Sequence, residues 1–189
     1  MIAVKPALLV RLGALIVLGV VVQTAFVSQL PIAGANADLA PLLTMSVGLL
    51  CGSLLGGCFG FGVGLFVDDV LLQTLGVSSL VLLAVGYGSG RIREARDPEG
   101  TFVPLAVGAA ATFVFSVGFA LMHFLLGVDA PVSWALLRDT LTTLVINTLL
   151  ALPVYALVRR WLLPALPEDP RRRRRRAYTT GGLSPLSRS

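Results

Sequence analysis

A single histidine, two cysteines and a charged fraction of 13% leave this chain of 189 residues short of the groups from which most active sites and metal centres are built. His123 has no second imidazole to share a metal with, and Cys51 and Cys58 stand at neither metal-ligand nor redox spacing, so both thiols read as small packing residues. Paired glutamates inside the apolar stretches and a phosphate-cradling glycine loop are also missing. These absences point away from hydrolytic, redox and metal-dependent enzymes, and from any cofactor.

What the chain has in excess is apolar surface, with 56% hydrophobic residues and a mean hydropathy of +0.86. Charge-free windows of about 18 residues or more recur, each long enough to cross a hydrocarbon core of about 30 Å as a helix. An all-α polytopic membrane protein follows. The net charge of +5 and pI near 10.0 do not call for nucleic acid, because the charges sit at the ends of apolar spans and in one tail.

Glycine is the most patterned residue. Gly48, Gly52, Gly56, Gly60 and Gly64 recur every fourth position, which on a helix stacks them on one face. An interior glycine costs a helix in water roughly 1 kcal/mol against alanine. Between helices in lipid, small residues instead let backbones approach closely.

In chain order, Lys5 and Arg11 open a first apolar span over residues 7–30. Ala35-Asn36-Ala37 resembles a signal-peptidase site, but the apolar region is too long and too distant from it for a usual leader. Gln23 and Gln29 fall in the second half of the span, and 31–38 is a turn-rich loop. From residue 39 to 67 no charge occurs, a length too great for one ordinary crossing. A break at Gly52-Ser53 or Gly56-Gly57 is expected, giving short crossings over 39–51 and 54–67. Later crossings are expected over 75–90, 101–126 and 142–158, the last preceded by a short interfacial helix with Arg138, Asp139 and Trp134 as its anchor. Prolines 164, 167 and 170 stop the final helix.

Six crossings place Lys5, Arg11, Arg91, Arg93, Arg96, Arg159, Arg160 and the arginine tail on one side, with Arg138 alone opposite. The positive-inside rule then puts both termini in the cytoplasm, with a transmembrane domain over 1–163 and a disordered basic tail over 164–189. In the tail Arg171, Arg172, Arg173, Arg174, Arg175 and Arg176 read as a topology lock and a tether to anionic lipid, at about 1 kcal/mol each.

Three polar features remain. Asp68 and Asp69 are either a solvated helix end, or Asp68 accepts hydrogen bonds that fix the following turn or meets a base such as Arg138. His123 reads as an interfacial or packed residue. Thr140, Thr142, Thr143, Asn147 and Thr148 give the last helix a polar side, for bonding between helices or for a ligand pocket.

The segment Gly60-Phe61-x-x-Gly64-Leu65-x-x-Asp68, followed by Leu75-Gly76 and a helix ending Gly86-Tyr87-x-x-Gly90, resembles the bacterial rod shape-determining membrane protein family MreD. About forty residues carry the likeness closely. Two departures are the lack of basic residues between the second and third helices and the doubling of Asp68 by Asp69. The resemblance implies a non-enzymatic inner-membrane component of the cell elongation machinery, in contact with membrane lipids and the bitopic protein MreC. Through MreC it would reach RodA with a class B penicillin-binding protein, and MreB indirectly. It also implies that Gly52, Gly56, Gly60, Phe61, Gly64, Leu65, Asp68, Gly76, Gly86, Tyr87 and Gly90 form a helix-packing or partner-binding motif. The same family is similar to the substrate-binding subunits of energy-coupling-factor vitamin transporters, which makes a transporter subunit with a closed outer pocket the alternative.

Overall fold

The computed structural model describes residues 6–25, 37–72, 74–95, 102–127 and 134–166. Gln29, most of the 31–38 loop, and the arginine run 171–176 lie outside them. The described residues form six helices and no strand: α1 (Pro6–Ala25), α2 (Leu39–Cys51), α3 (Ser53–Val70), α4 (Val77–Ala95), α5 (Phe102–Leu125) and α6 (Trp134–Leu162). By length and composition, α1, α3, α5 and the 140–162 stretch of α6 are able to cross a membrane. The 13 residues of α2 rise only about 20 Å. Its sequence is apolar because it is buried, and Ala40 to Leu50 are covered on every side. The α2 helix is the bundle's core, in contact with all five others.

The expected break falls at Gly52, which has φ 96° and ψ 177°. A side chain is strained there, so one residue separates α2 from α3 and lets the chain fold back. Gly56-Gly57, the other candidate, stays helical, and α3 runs three residues beyond the expected end to Val70. Asp68 and Asp69 therefore belong to the last turn of α3. The separate interfacial helix before the last crossing is corrected: α6 is continuous from Trp134. No glycine or proline interrupts the chain between Trp134 and Leu152, so the Arg138-Asp139 pair merely occupies the first turns. After Leu162 a turn carries Ala165 back onto the core beside Leu8 and Leu12.

Ionisable groups separate along the bundle. Arg11 donates to the Trp161 carbonyl at 2.9 Å, and Arg93 donates to the Leu50 carbonyl, bringing the start of α1 and the ends of α2, α4 and α6 to one basic end. Asp38, Asp68 and Asp69 lie at the opposite end, where α3 turns into α4.

Candidate functional site

The glycine row is the interface between α3 and α4. A Cβ at Gly56 would lie 2.6 Å from the Gly48 Cα and 2.6 Å from the Gly86 carbonyl oxygen, so three glycines from α2, α3 and α4 meet at one point. Gly60 lies against the Leu82 peptide, Gly64 against Ser78 and Ser79, and Gly90 against Gly52 and Ser53. The helices touch backbone to backbone along their length, which is the close approach that small residues permit. Gly76 does something else. Its φ of 99° makes the turn into α4, and a side chain there would meet open space, so its place in the motif is conformational and not a packing contact.

Two carboxylates clamp this hairpin from its two ends. Asp68, fully buried at the end of α3, accepts from the backbone N–H of Gly76 at 2.8 Å and of Ser78 at 3.3 Å, the unpaired donors that open α4. Glu94, in the last turn of α4, accepts from the Ser53 N–H at 3.0 Å and its hydroxyl at 2.6 Å, at the start of α3. Each helix thus supplies an acid to the positive end of its antiparallel neighbour. The Ser53 bonds hold the Glu94 carboxyl below its ordinary value. The Gly76 and Ser78 bonds support the turn-fixing reading of Asp68; the alternative partner, Arg138, is corrected, being exposed on α6. Asp69 is exposed, as a solvated helix end should be.

The large side chains of the motif point the other way. Phe61, Leu65 and Tyr87 are 39%, 38% and 49% exposed, on the outer side of the hairpin. Tyr87 lies beside Gly57, one turn from Phe61 on the same row of α3. Of the two thiols, Cys51 is half-buried and packs against the core, whereas Cys58 is exposed on this outer face, which corrects its packing role.

At the acidic end a cavity of about 450 Å³ opens between α1, α3, α4, α5 and α6. Asn147, fully buried, bonds two of its lining residues, Asp38 and Thr112. Its Oδ1 accepts from the Asp38 N–H at 3.0 Å, while its Nδ2 donates to the Asp38 carbonyl at 2.9 Å and to Thr112 Oγ1 at 3.2 Å. The side-chain amide pairs with a peptide group as a neighbouring strand would, tying α6 and α5 to the start of α2. Gln23 does likewise from α1, accepting from the Leu39 N–H at 2.8 Å and donating to the Ala37 carbonyl at 3.2 Å. The other polar groups of α6 behave differently: Thr142 and Thr148 donate to carbonyls of their own helix, and Thr140 and Thr143 line the cavity. His123 lines it too and packs on Phe119, with ring centroids 4.4 Å apart.

Asp38 closes this site. Its Oδ1 accepts from the Ala40 N–H at 3.1 Å and caps α2. Burial pushes its carboxyl up from 3.8 to about 6, against the lowering effect of the Ala40 bond. A carboxyl raised on folding favours the folded state at low pH, and that contribution fades as pH rises through its folded value. The protein is therefore expected to melt higher at about pH 5 than at about pH 7.5, in a window above the range in which Glu94 protonates. A thermal-unfolding series in detergent checks this. Asp38→Asn, which keeps a good capping residue, is expected to flatten the difference.

Comparison with protein-family models, with curated proteins and with solved structures gives no match to this chain. What the fold and site define is a class only: an all-helical bundle with several helices apolar enough to cross a membrane, compatible with a multi-pass membrane protein.

Proposed function

We propose that this chain is a non-enzymatic component of the bacterial inner membrane, with six crossings and both termini cytoplasmic, that serves the cell elongation complex in the manner of the MreD family. The observation that carries the reading is the division of its motif. The glycines and Asp68 are used up inside the α3–α4 hairpin, whereas Phe61, Leu65 and Tyr87 stay on its surface. A rigid hairpin with an aromatic and leucine ridge suits the lateral docking of a single membrane helix, such as that of an MreC-like bitopic protein. RodA and a class B penicillin-binding protein would be reached through that partner, and MreB indirectly. The arginines 171–176 would hold the tail on anionic lipid.

Replacing Phe61, Leu65 and Tyr87 together by alanine is expected to leave the melting temperature near the wild-type value, because none of the three is buried. In a strain depleted of the native protein, this variant is expected to give rounded or widened cells and to lose photocrosslinking to the MreC-like helix from position 61. Normal rods with the crosslink intact would remove the ridge from the partner interface.

The cavity favours a second reading, a substrate-binding subunit of a vitamin transporter, since it brings polar and aromatic groups together at the end opposite Arg11 and Arg93. Purification with a bound vitamin, or auxotrophy on depletion in place of rounding, would select it.

A further inference from the structure

We propose that the cavity at the acidic end of the bundle binds a small organic cation carrying a planar ring, its ammonium group at Asp38 and its ring against the Phe119–His123 pair. The volume, about 450 Å³, is that of a pocket for a compact ligand. Its chemistry is one-sided. Among the described residues the lining holds a single acid, Asp38, and neither lysine nor arginine. Among the described residues, the α1, α3, α4 and α6 helices contribute only uncharged side chains to it, and α5 adds one titratable group, His123.

The acid is also incompletely used. The Ala40 N–H bonds Asp38 Oδ1, and no described donor bonds Oδ2. Asp38 is only part-buried and its Oδ2 stays open to the cavity, so an entering cation can pair with that oxygen. The start of α2 would by itself favour an anion, but Asp38 already occupies that position as its cap. A second negative charge beside it would be repelled.

The aromatic side completes the match. Phe115 and Phe119 are 5.9 Å apart between ring centroids, His123 continues the row, and all three line the cavity. Neither nitrogen of His123 has a hydrogen-bond partner among the described residues, so its imidazole is available to a ligand. Flat rings stack on such a row and gain further from a cation near the π face. Asn147 and Gln23 hold the Asp38 segment from α6 and α1, so the acid is positioned before any ligand arrives.

The test uses the full chain in lipid nanodiscs and three probes that share an indole ring: tryptamine, a cation; tryptophol, neutral; and indole-3-acetate, an anion. Binding is read by calorimetry at neutral pH, with empty nanodiscs subtracted. Tryptamine is expected to bind at least about ten-fold more tightly than tryptophol, with no binding of indole-3-acetate. Asp38→Asn, which retains the cap, is expected to bring tryptamine to the level of tryptophol. Ser116→Trp, which fills the cavity from α5, is expected to abolish both while its melting curve reports on folding. Equal binding of all three probes, binding of none, or a tryptamine affinity unchanged in Asp38→Asn would overturn the proposal. Failure here leaves the partner-docking reading standing, because Phe61 and Tyr87 lie on the outer face of the hairpin.

Discussion

Gly86→Ala is expected to destabilise the bundle strongly for a single added methyl, and Gly86→Leu to prevent folding. A Cβ at position 86 would sit 2.6 Å from the Gly56 carbonyl carbon and 2.9 Å from Thr44 Cγ2, where ordinary contacts lie at 3.4–4 Å. The obstacle is mostly backbone, which has no rotamer to change, so α4 must move off both α2 and α3. Overpacking of a tight core costs about 1–3 kcal/mol, and a clash shared by three helices belongs at or above the top of that range. Gly88→Ala is the control. It lies two residues on, about 200° round the same helix, and would meet nothing within 4 Å, so removing its backbone freedom is expected to be neutral or to add up to about 1 kcal/mol. Melting of the two variants in detergent separates crowding from propensity. Equal effects at both positions would mean that the glycine row does not set the spacing of the hairpin.

How much of this was legible in the sequence depended on whether the signal was local. The four-residue glycine period showed a small face, and charge-free length showed that the face had to be folded, so counting narrowed the break to Gly52-Ser53 or Gly56-Gly57, and the backbone turns at Gly52. The direction of the fold-back also decided what the face packs on. With α3 reversed at Gly76, the row meets α4 within the chain and is spent there. Length and hydropathy were less informative for α2, where burial among five helices looks the same in sequence as burial in lipid.

The polar partners were mostly illegible, because each joins residues far apart in the chain. Asp68 lies eight residues from Gly76 and could be foreseen as a turn cap. Glu94 is 41 residues from Ser53, and its one clue was an acid placed at the unfavourable end of its own helix. Asn147 and Asp38 are 109 residues apart, and a run of threonines around the asparagine obscured it. Thr142 and Thr148 donate to carbonyls of their own helix, a local bond that a short hydroxyl side chain makes readily. Asn147 instead bonds residues of other elements, Asp38 and Thr112.

That difference sets the second large effect. Asn147→Leu is expected to cost roughly 3–5 kcal/mol, enough to unfold a marginal bundle, although leucine is larger and more apolar. The change leaves the part-buried Asp38 N–H and carbonyl without their partner, and a group so orphaned costs about 1–3 kcal/mol once shielded from water. Thr112→Val removes only the bond from Asn147 Nδ2 and the hydroxyl's own bond to the Gly108 carbonyl, so it is expected to cost about 1 kcal/mol. Asn147→Asp provides the sharper comparison. It preserves shape and the acceptor for the Asp38 N–H but replaces the donor facing the Asp38 carbonyl with a second buried acid. It is expected to be as damaging as leucine near neutral pH and to recover partly in acid, where a protonated carboxyl can donate to that carbonyl. The readout is the melting temperature of the three variants across pH. An Asn147→Leu protein as stable as Thr112→Val would mean that packing around α2, and not the amide, holds the start of that helix and Asp38 in place.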